Sequence, residues 1–150
     1  MPQSHACLHC HIVFSTKNRK PFIDNALQPR LYAYIGGVLK SLGCVLVEAG
    51  GMPDHVHLLV SLGRENAVAD VVRAAKSNPS KWIHETFPEQ RSLAWQAGYG
   101  AFAVSYSQVA DVRRYIGDRA VHHARMTFQE ELRKFLRRHE IAFDERYVWD

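Results

Sequence analysis

Cysteine is scarce in this chain, with three in 150 residues. Cys7-Leu8-His9-Cys10-His11 has the spacing of a c-type haem attachment site, but the first fifteen residues lack the uninterrupted apolar stretch of an export signal. On a strand, Cys7 and Cys10 would also face opposite sides. A zinc site would need a second ligand pair at comparable spacing, and Cys44 stands alone. All three thiols are therefore expected to behave as small buried apolar residues. Long apolar runs are missing as well. None approaches the about 18 residues that span a bilayer, which excludes a membrane-spanning helix and makes the cytoplasm the expected compartment. Internal repeats, low-complexity segments and linkers are absent too, so residues 1–150 are expected to form one domain.

The rest of the composition is that of an ordinary globular chain, 47% hydrophobic and 23% charged. Nineteen Lys and Arg against fifteen Asp and Glu leave a net charge of +4, compatible with a polyanionic partner without requiring one.

Periodicity supplies the elements. His5 to Ser15 reads as a strand, followed by the basic loop Thr16-Lys17-Asn18-Arg19-Lys20-Pro21. Asp24 or Asn25 can cap a helix running to about Leu42, which Gly43 ends. Cys44 to Ala49 is a second strand, joined through the turn residues Gly50 to Asp54 to a third that begins at His55. Asn66 is expected to cap a helix over 66–86, with a kink or break at Asn78-Pro79. Leu93 to Ser105 reads as a strand bent at Gly98 and Gly100. Two helices follow, over about 108–123 and 128–139, the second opened by the capping-box spacing Thr127-Phe128-Gln129-Glu130. The order strand–helix–strand–strand–helix–strand predicts an α+β fold: a ferredoxin-like split βαβ antiparallel sheet with appended C-terminal helices.

The stretch Asp54-His55-Val56-His57-Leu58-Leu59-Val60 stands out. Its alternation puts His55, His57 and Leu59 on one strand face and Val56, Leu58 and Val60 on the other. Two imidazoles at i and i+2 can converge on one cation. A histidine-triad hydrolase would need a third histidine at position 59, which is Leu59. On the 108–123 helix, Val109, Val112, Ile116 and Ala120 form the apolar stripe. Asp111, Tyr115 and Arg119 form the stripe beside it, with His122 alongside, so Tyr115 lies at the margin of the buried face.

Together these stretches resemble the single-tyrosine HUH transposases of small bacterial insertion sequences and their repeat-associated relatives. The HUH motif (His, hydrophobic, His) is matched by His55-Val56-His57. His11-Ile12-Val13-Phe14-Ser15-Thr16-Lys17, Gly51-Met52-Pro53-Asp54, Trp95 to Phe102, Tyr115-Ile116, His122-His123 and Tyr147-Val148-Trp149 keep the family's order over nearly the whole chain.

The resemblance implies an HUH/Rep-like nuclease fold, a divalent metal (Mg2+ or Mn2+) held by His55 and His57, and Tyr115 as catalytic nucleophile. It implies a bacterial DNA transposase that cleaves and rejoins single-stranded or hairpin DNA through a 5′-phosphotyrosine, with no nucleotide cofactor and no membrane partner. Such a protein would associate with the nucleoid when bound to DNA. Family members commonly work as homodimers in which one subunit's tyrosine helix can complete the other's site. One position departs from the pattern: four residues after the tyrosine the family carries a glutamine ligand, and here Arg119 stands there. A guanidinium only donates and cannot coordinate a cation. Arg119 could then bind the scissile phosphate, with water, Asp118 or His122 completing the metal shell. The alternative is a catalytically impaired or domesticated hairpin-binding descendant. Lys17, Arg19, Lys20, Lys76, Arg113, Arg114 and Arg125 are the further candidates for phosphate contact, and Tyr99, Phe102 or Trp82 for base stacking, with core packing the preferred role of Phe102. The Arg133-Lys134 and Arg137-Arg138 doublets read as a solvated helix face.

Overall fold

The computed structural model describes residues 3–118 and 126–150. Four strands form one antiparallel sheet: β1 (Leu8–Ser15), β2 (Val45–Met52), β3 (His55–Leu62) and β4 (Gly100–Val104), in the order β2-β3-β1-β4. Helix α1 (Leu27–Ser41) connects β1 to β2, and α2 (Val68–Thr86) connects β3 to β4, which is the split βαβ order. Among the described residues, two further helices follow, α3 (Val109–Gly117) and α4 (Phe128–Arg138).

Both faces of the sheet are covered, and the residues from His55 to Val60 are all buried. One face presents Ile12, Phe14, Val56, Leu58 and Val60 to Leu31, Ile35 and Leu39 of α1 and to Val71, Val72 and Ala75 of α2. On the other face, Val13 and Phe102 pack with Phe128, Leu132 and Leu136 of α4. Pairing sets His57 opposite Val13 and His55 opposite Ser15, so His11, Val13 and Ser15 share a face with the two histidines.

Local chemistry explains most element ends, with several departures from the sequence reading. The Asp24 carboxylate accepts from the Leu27 amide at 2.7 Å and starts α1. Gly43 follows the helix with a positive φ of 83°. The expected cap at Asn66 is absent. Its amide instead ties loops together, accepting from the Gly63 amide and donating to the Leu42 carbonyl. Helix α2 runs through Pro79 without a break, the proline itself buried. Gly50 and Gly51 belong to β2 rather than to the turn, and of the expected 93–105 strand only β4 forms, with Trp95 making an isolated bridge to Thr16. Cys10 and Cys44 are buried as expected, whereas Cys7 is exposed. Thr127 caps α4 through the Glu130 amide, as its spacing predicts. Among the described residues, no helix is long and apolar enough to cross a membrane.

Candidate active site

The paired histidines project from β3 beneath α3 and α4. His55 Nδ1–H donates to Asp54 Oδ1 at 2.6 Å, which turns Nε2 inward. His57 Nε2 lies 2.8 Å from Glu131 Oε1, and His55 Nε2 lies 3.8 Å from the same oxygen. His55, His57 and Glu131 are all buried, and one ligand atom from each falls within 4.8 Å of the others. The Tyr115 hydroxyl donates to the second carboxylate oxygen, Glu131 Oε2. One carboxylate therefore joins the imidazole pair to the phenol.

The donor set fits a divalent cation. Two imidazole nitrogens and a carboxylate oxygen form a mixed N/O group that suits Mn2+ and similar ions. Glu131 is only 2% exposed, and burying a carboxylate this far from water is costly unless positive charge or hydrogen bonds compensate it. This group can hold a metal ion.

Glu131 was not singled out from the sequence, although a signal exists. It sits on the α4 face that also carries Phe128, Leu132 and Phe135, an acid inside an apolar stripe. The third donors expected from the sequence are Asp118 and His122. Asp118 follows α3 as an exposed residue at its C-terminal end. Arg119, His122, His123 and Arg125 lie outside the described residues. Gly117 is the last residue of α3.

Tyr115 is held over the sheet because α3 approaches β2 very closely. A Cβ on Gly50 would come within 2.4 Å of the Ile116 carbonyl, so only glycine permits this contact. Phe135 packs edge-on against the tyrosine at 6.0 Å between ring centroids.

The comparisons with known proteins bear on this geometry. The model of the IS200-like transposase family matches residues 4–119. The chain belongs to the IS200-like transposases. This transposase is 25% identical over 114 residues to the ISDra2 transposase TnpA of Deinococcus radiodurans, spanning 73% of its own length and 81% of that protein. Its fold matches the crystal structure of a candidate transposase from Deinococcus radiodurans R1, with a TM-score of 0.62, 24% identity and coverage of 79% of this chain and 97% of that one. It also matches a REP-associated tyrosine transposase bound to a REP hairpin, with a TM-score of 0.59, 15% identity and coverage of 82% and 74%. At these identities the two structures speak to the fold, which is the α+β architecture expected from the order of elements.

The basic residues of this transposase divide by surroundings. Arg19 lines a cavity of about 520 Å³ together with Asp54, His55 and Thr127. A second cavity, of about 270 Å³, opens beside Tyr115 and His11 and is lined by Lys134 and Arg138. Those two cations, read earlier as part of a solvated face, therefore stand at the mouth of the site, whereas Arg133 grips Glu145 through two nitrogens at 2.7 and 3.0 Å. Lys17 and Lys20 are exposed on the loop that carries Arg19. Arg113 reaches Glu48 at 3.3 Å, and Arg114 lies 3.6 Å from Asp111.

Lys76 is engaged differently from the phosphate contact expected of it. Its ammonium donates to the Gln96 and Gly98 carbonyls at 2.8 and 2.7 Å, and burial pulls its pKa down to about 8. Among the aromatics, Phe102 is core as preferred, Trp82 stacks on Tyr34 at 4.5 Å, and Tyr99 remains exposed.

Proposed function

We propose that this transposase cuts and rejoins single-stranded or hairpin DNA by a metal-assisted attack of the Tyr115 phenol on a phosphodiester. The observation that carries the reading is the hydrogen bond from the Tyr115 hydroxyl to Glu131, whose other oxygen lies on the His57 imidazole.

Glu131, His55 and His57 would hold the cation, Mn2+ or Mg2+, which when bound would supply Lewis-acid stabilisation of the charge that develops on the phosphate. Tyr115 needs help to ionise, since a phenol's ordinary pKa is near 10. Glu131 Oε2 takes the phenol proton as the tyrosine oxygen bonds to phosphorus. The 3′ oxygen leaves and picks up a proton from water, giving a 5′-phosphotyrosine and a free 3′-hydroxyl. In the reverse step a 3′-hydroxyl attacks phosphorus and Tyr115 recovers its proton. Because the covalent link conserves the phosphodiester energy, no nucleotide is consumed.

Basic groups at both openings support a strand path across the site, with Arg19 on the His55 side, flanked on its loop by the exposed Lys17 and Lys20, and Lys134 and Arg138 on the Tyr115 side. Arg113 and Arg114, and by the family resemblance Arg119, are the further candidates for phosphate contact in this reading. Residues 1–150 act as one catalytic unit, because α4 contributes Glu131 to a site otherwise built from β3 and α3. A homodimer is the assembly that the family resemblance implies. In this reading Tyr115, which lies beside His57 of its own chain, serves the site of its own protomer.

The test incubates the protein with single-stranded oligonucleotides from the ends of its own element, with Mn2+, followed by denaturing gel electrophoresis. A covalent protein–DNA adduct that Tyr115→Phe abolishes is the expected outcome. An adduct that persists in Tyr115→Phe would remove the tyrosine from this role. Hairpin binding with no adduct in either metal would instead identify a binding protein that has lost cleavage.

A further inference from the structure

The two candidate ligands on β3 are backed by different chemistry. Behind His55 Nδ1 stands the Asp54 carboxylate, which in its ionised form only accepts hydrogen bonds. It fixes the hydrogen on Nδ1 and leaves Nε2 with its lone pair inward. Behind His57 Nδ1 stands a third imidazole: His11 Nε2 lies 2.8 Å away, with both rings buried. His11 comes from β1, two residues along from the Val13 that pairs with His57, and it shares the histidines' side of the sheet. Its ring is wedged against Phe135 at 5.1 Å and Phe102 at 6.4 Å, which fixes its orientation. The mechanism above makes no use of it.

We infer that His11 is a positioning residue that lets His57 exchange tautomers, so that its Nε2 serves either as a hydrogen-bond donor to Glu131 or as a cation ligand. This rests on the reading of His55, His57 and Glu131 as a metal centre. A neutral imidazole can accept or donate at Nε2, whereas a carboxylate behind His57 would lock one tautomer. With His57 Nε2–H donating to Glu131 Oε1 across 2.8 Å, neutral His57 accepts at Nδ1 from His11 Nε2–H. When Nε2 gives its lone pair to a cation, its hydrogen must leave. The His11 Nε2 hydrogen then crosses to His57 Nδ1, and His11 takes a hydrogen at its own Nδ1. One proton is released at His57 Nε2 and one is gained at His11 Nδ1, so neither ring changes charge. His11 lines the cavity beside Tyr115, which gives that exchange a route to water. His55 is a fixed ligand and His57 an adjustable one, and the difference lies in the residue behind each.

Two measurements test this. The first is Mn2+ binding by titration calorimetry on the full chain, for wild type, His11→Phe and His11→Gln. Phenylalanine keeps the aromatic packing but offers Nδ1 no partner, and it should weaken Mn2+ about 10- to 100-fold, as loss of a group that orients a ligand typically does. Glutamine, whose amide can present either its N–H or its oxygen, should restore most of the affinity. The second is the tautomer of His57 in wild type, read from imidazole nitrogen chemical shifts with and without Mg2+. The hydrogen should move from Nε2 to Nδ1 on binding. Unchanged Mn2+ affinity in His11→Phe, or a His57 hydrogen on Nδ1 under both conditions, would overturn the inference while leaving the metal centre intact. Failure of wild type itself to bind Mn2+ would overturn the metal centre, and the inference with it.

Discussion

In the proposed reaction the two oxygens of Glu131 have two tasks. Oε1 lies among the imidazole nitrogens and Oε2 accepts the Tyr115 hydroxyl. Replacing it by alanine removes both tasks at once, and Mn2+ affinity should fall by more than the about 10–100-fold typical of losing an outer partner of a ligand. Glu131→Gln is the more discriminating change. The amide keeps a carbonyl oxygen for the cation but cannot take a proton, so Mn2+ binding should survive better than adduct formation. Calorimetry beside the gel assay separates the two. Equal loss of both would assign Glu131 to metal binding alone. The identity of this residue also bears on Arg119, the departure from the family pattern: in the proposed site, a ligand from α4 would leave the shell less dependent on whatever stands four residues after the tyrosine.

At the scale of elements, the position of the tyrosine depends on how closely α3 can approach β2. That approach is limited by backbone meeting backbone, at Gly50 and the Ile116 carbonyl. Gly50→Ala should push the end of α3 away from the sheet, costing about 1–3 kcal/mol as overpacking does. Adduct formation should fall more than Mn2+ affinity, because His55 and His57 are anchored by their own pairing with β1. Thermal unfolding and Mn2+ titration of the variant check both halves. An unchanged melting temperature would mean that α3 shifts without cost and is held less firmly than the contact implies. The sequence reading took Gly50 for a turn residue, because glycine next to Gly-Met-Pro-Asp is ordinary turn chemistry. What the glycine serves is contact with an element 66 residues further along, which no local pattern records.

Across the whole molecule, Lys76 joins parts of the chain that are distant in sequence. From α2 it holds the carbonyls of Gln96 and Gly98, and the Gly98 amide in turn donates to the Asp150 carbonyl at 2.8 Å. Its pKa is near 8 in the fold against an ordinary 10.5, so between those values the unfolded chain binds a proton that the folded one gives up. Stability from this group therefore rises as pH climbs from about 8 towards 10.5, and is level below that interval. The neutral amine retains two N–H donors, enough for both close carbonyls. Urea unfolding across the interval should show a smaller rise for Lys76→Met than for wild type. An identical pH dependence in the two proteins would place the lysine's titration outside the interval.

The sequence by itself determined the order of the elements and the faces of β3, because a two-residue alternation fixes which side chains leave each side of a strand whatever packs there. It carried the His55–His57 pair, the placing of Tyr115 at the edge of an apolar stripe, and the Thr127 cap, all of which are local. Tertiary structure decided which faces meet. Glu131 reaches His57 across 74 residues and His11 reaches it across 46, through strand register and the seating of α4, and neither contact follows from periodicity within one element. It also gave Lys76 a set of carbonyls, because where a long flexible side chain ends depends on what folds within its reach.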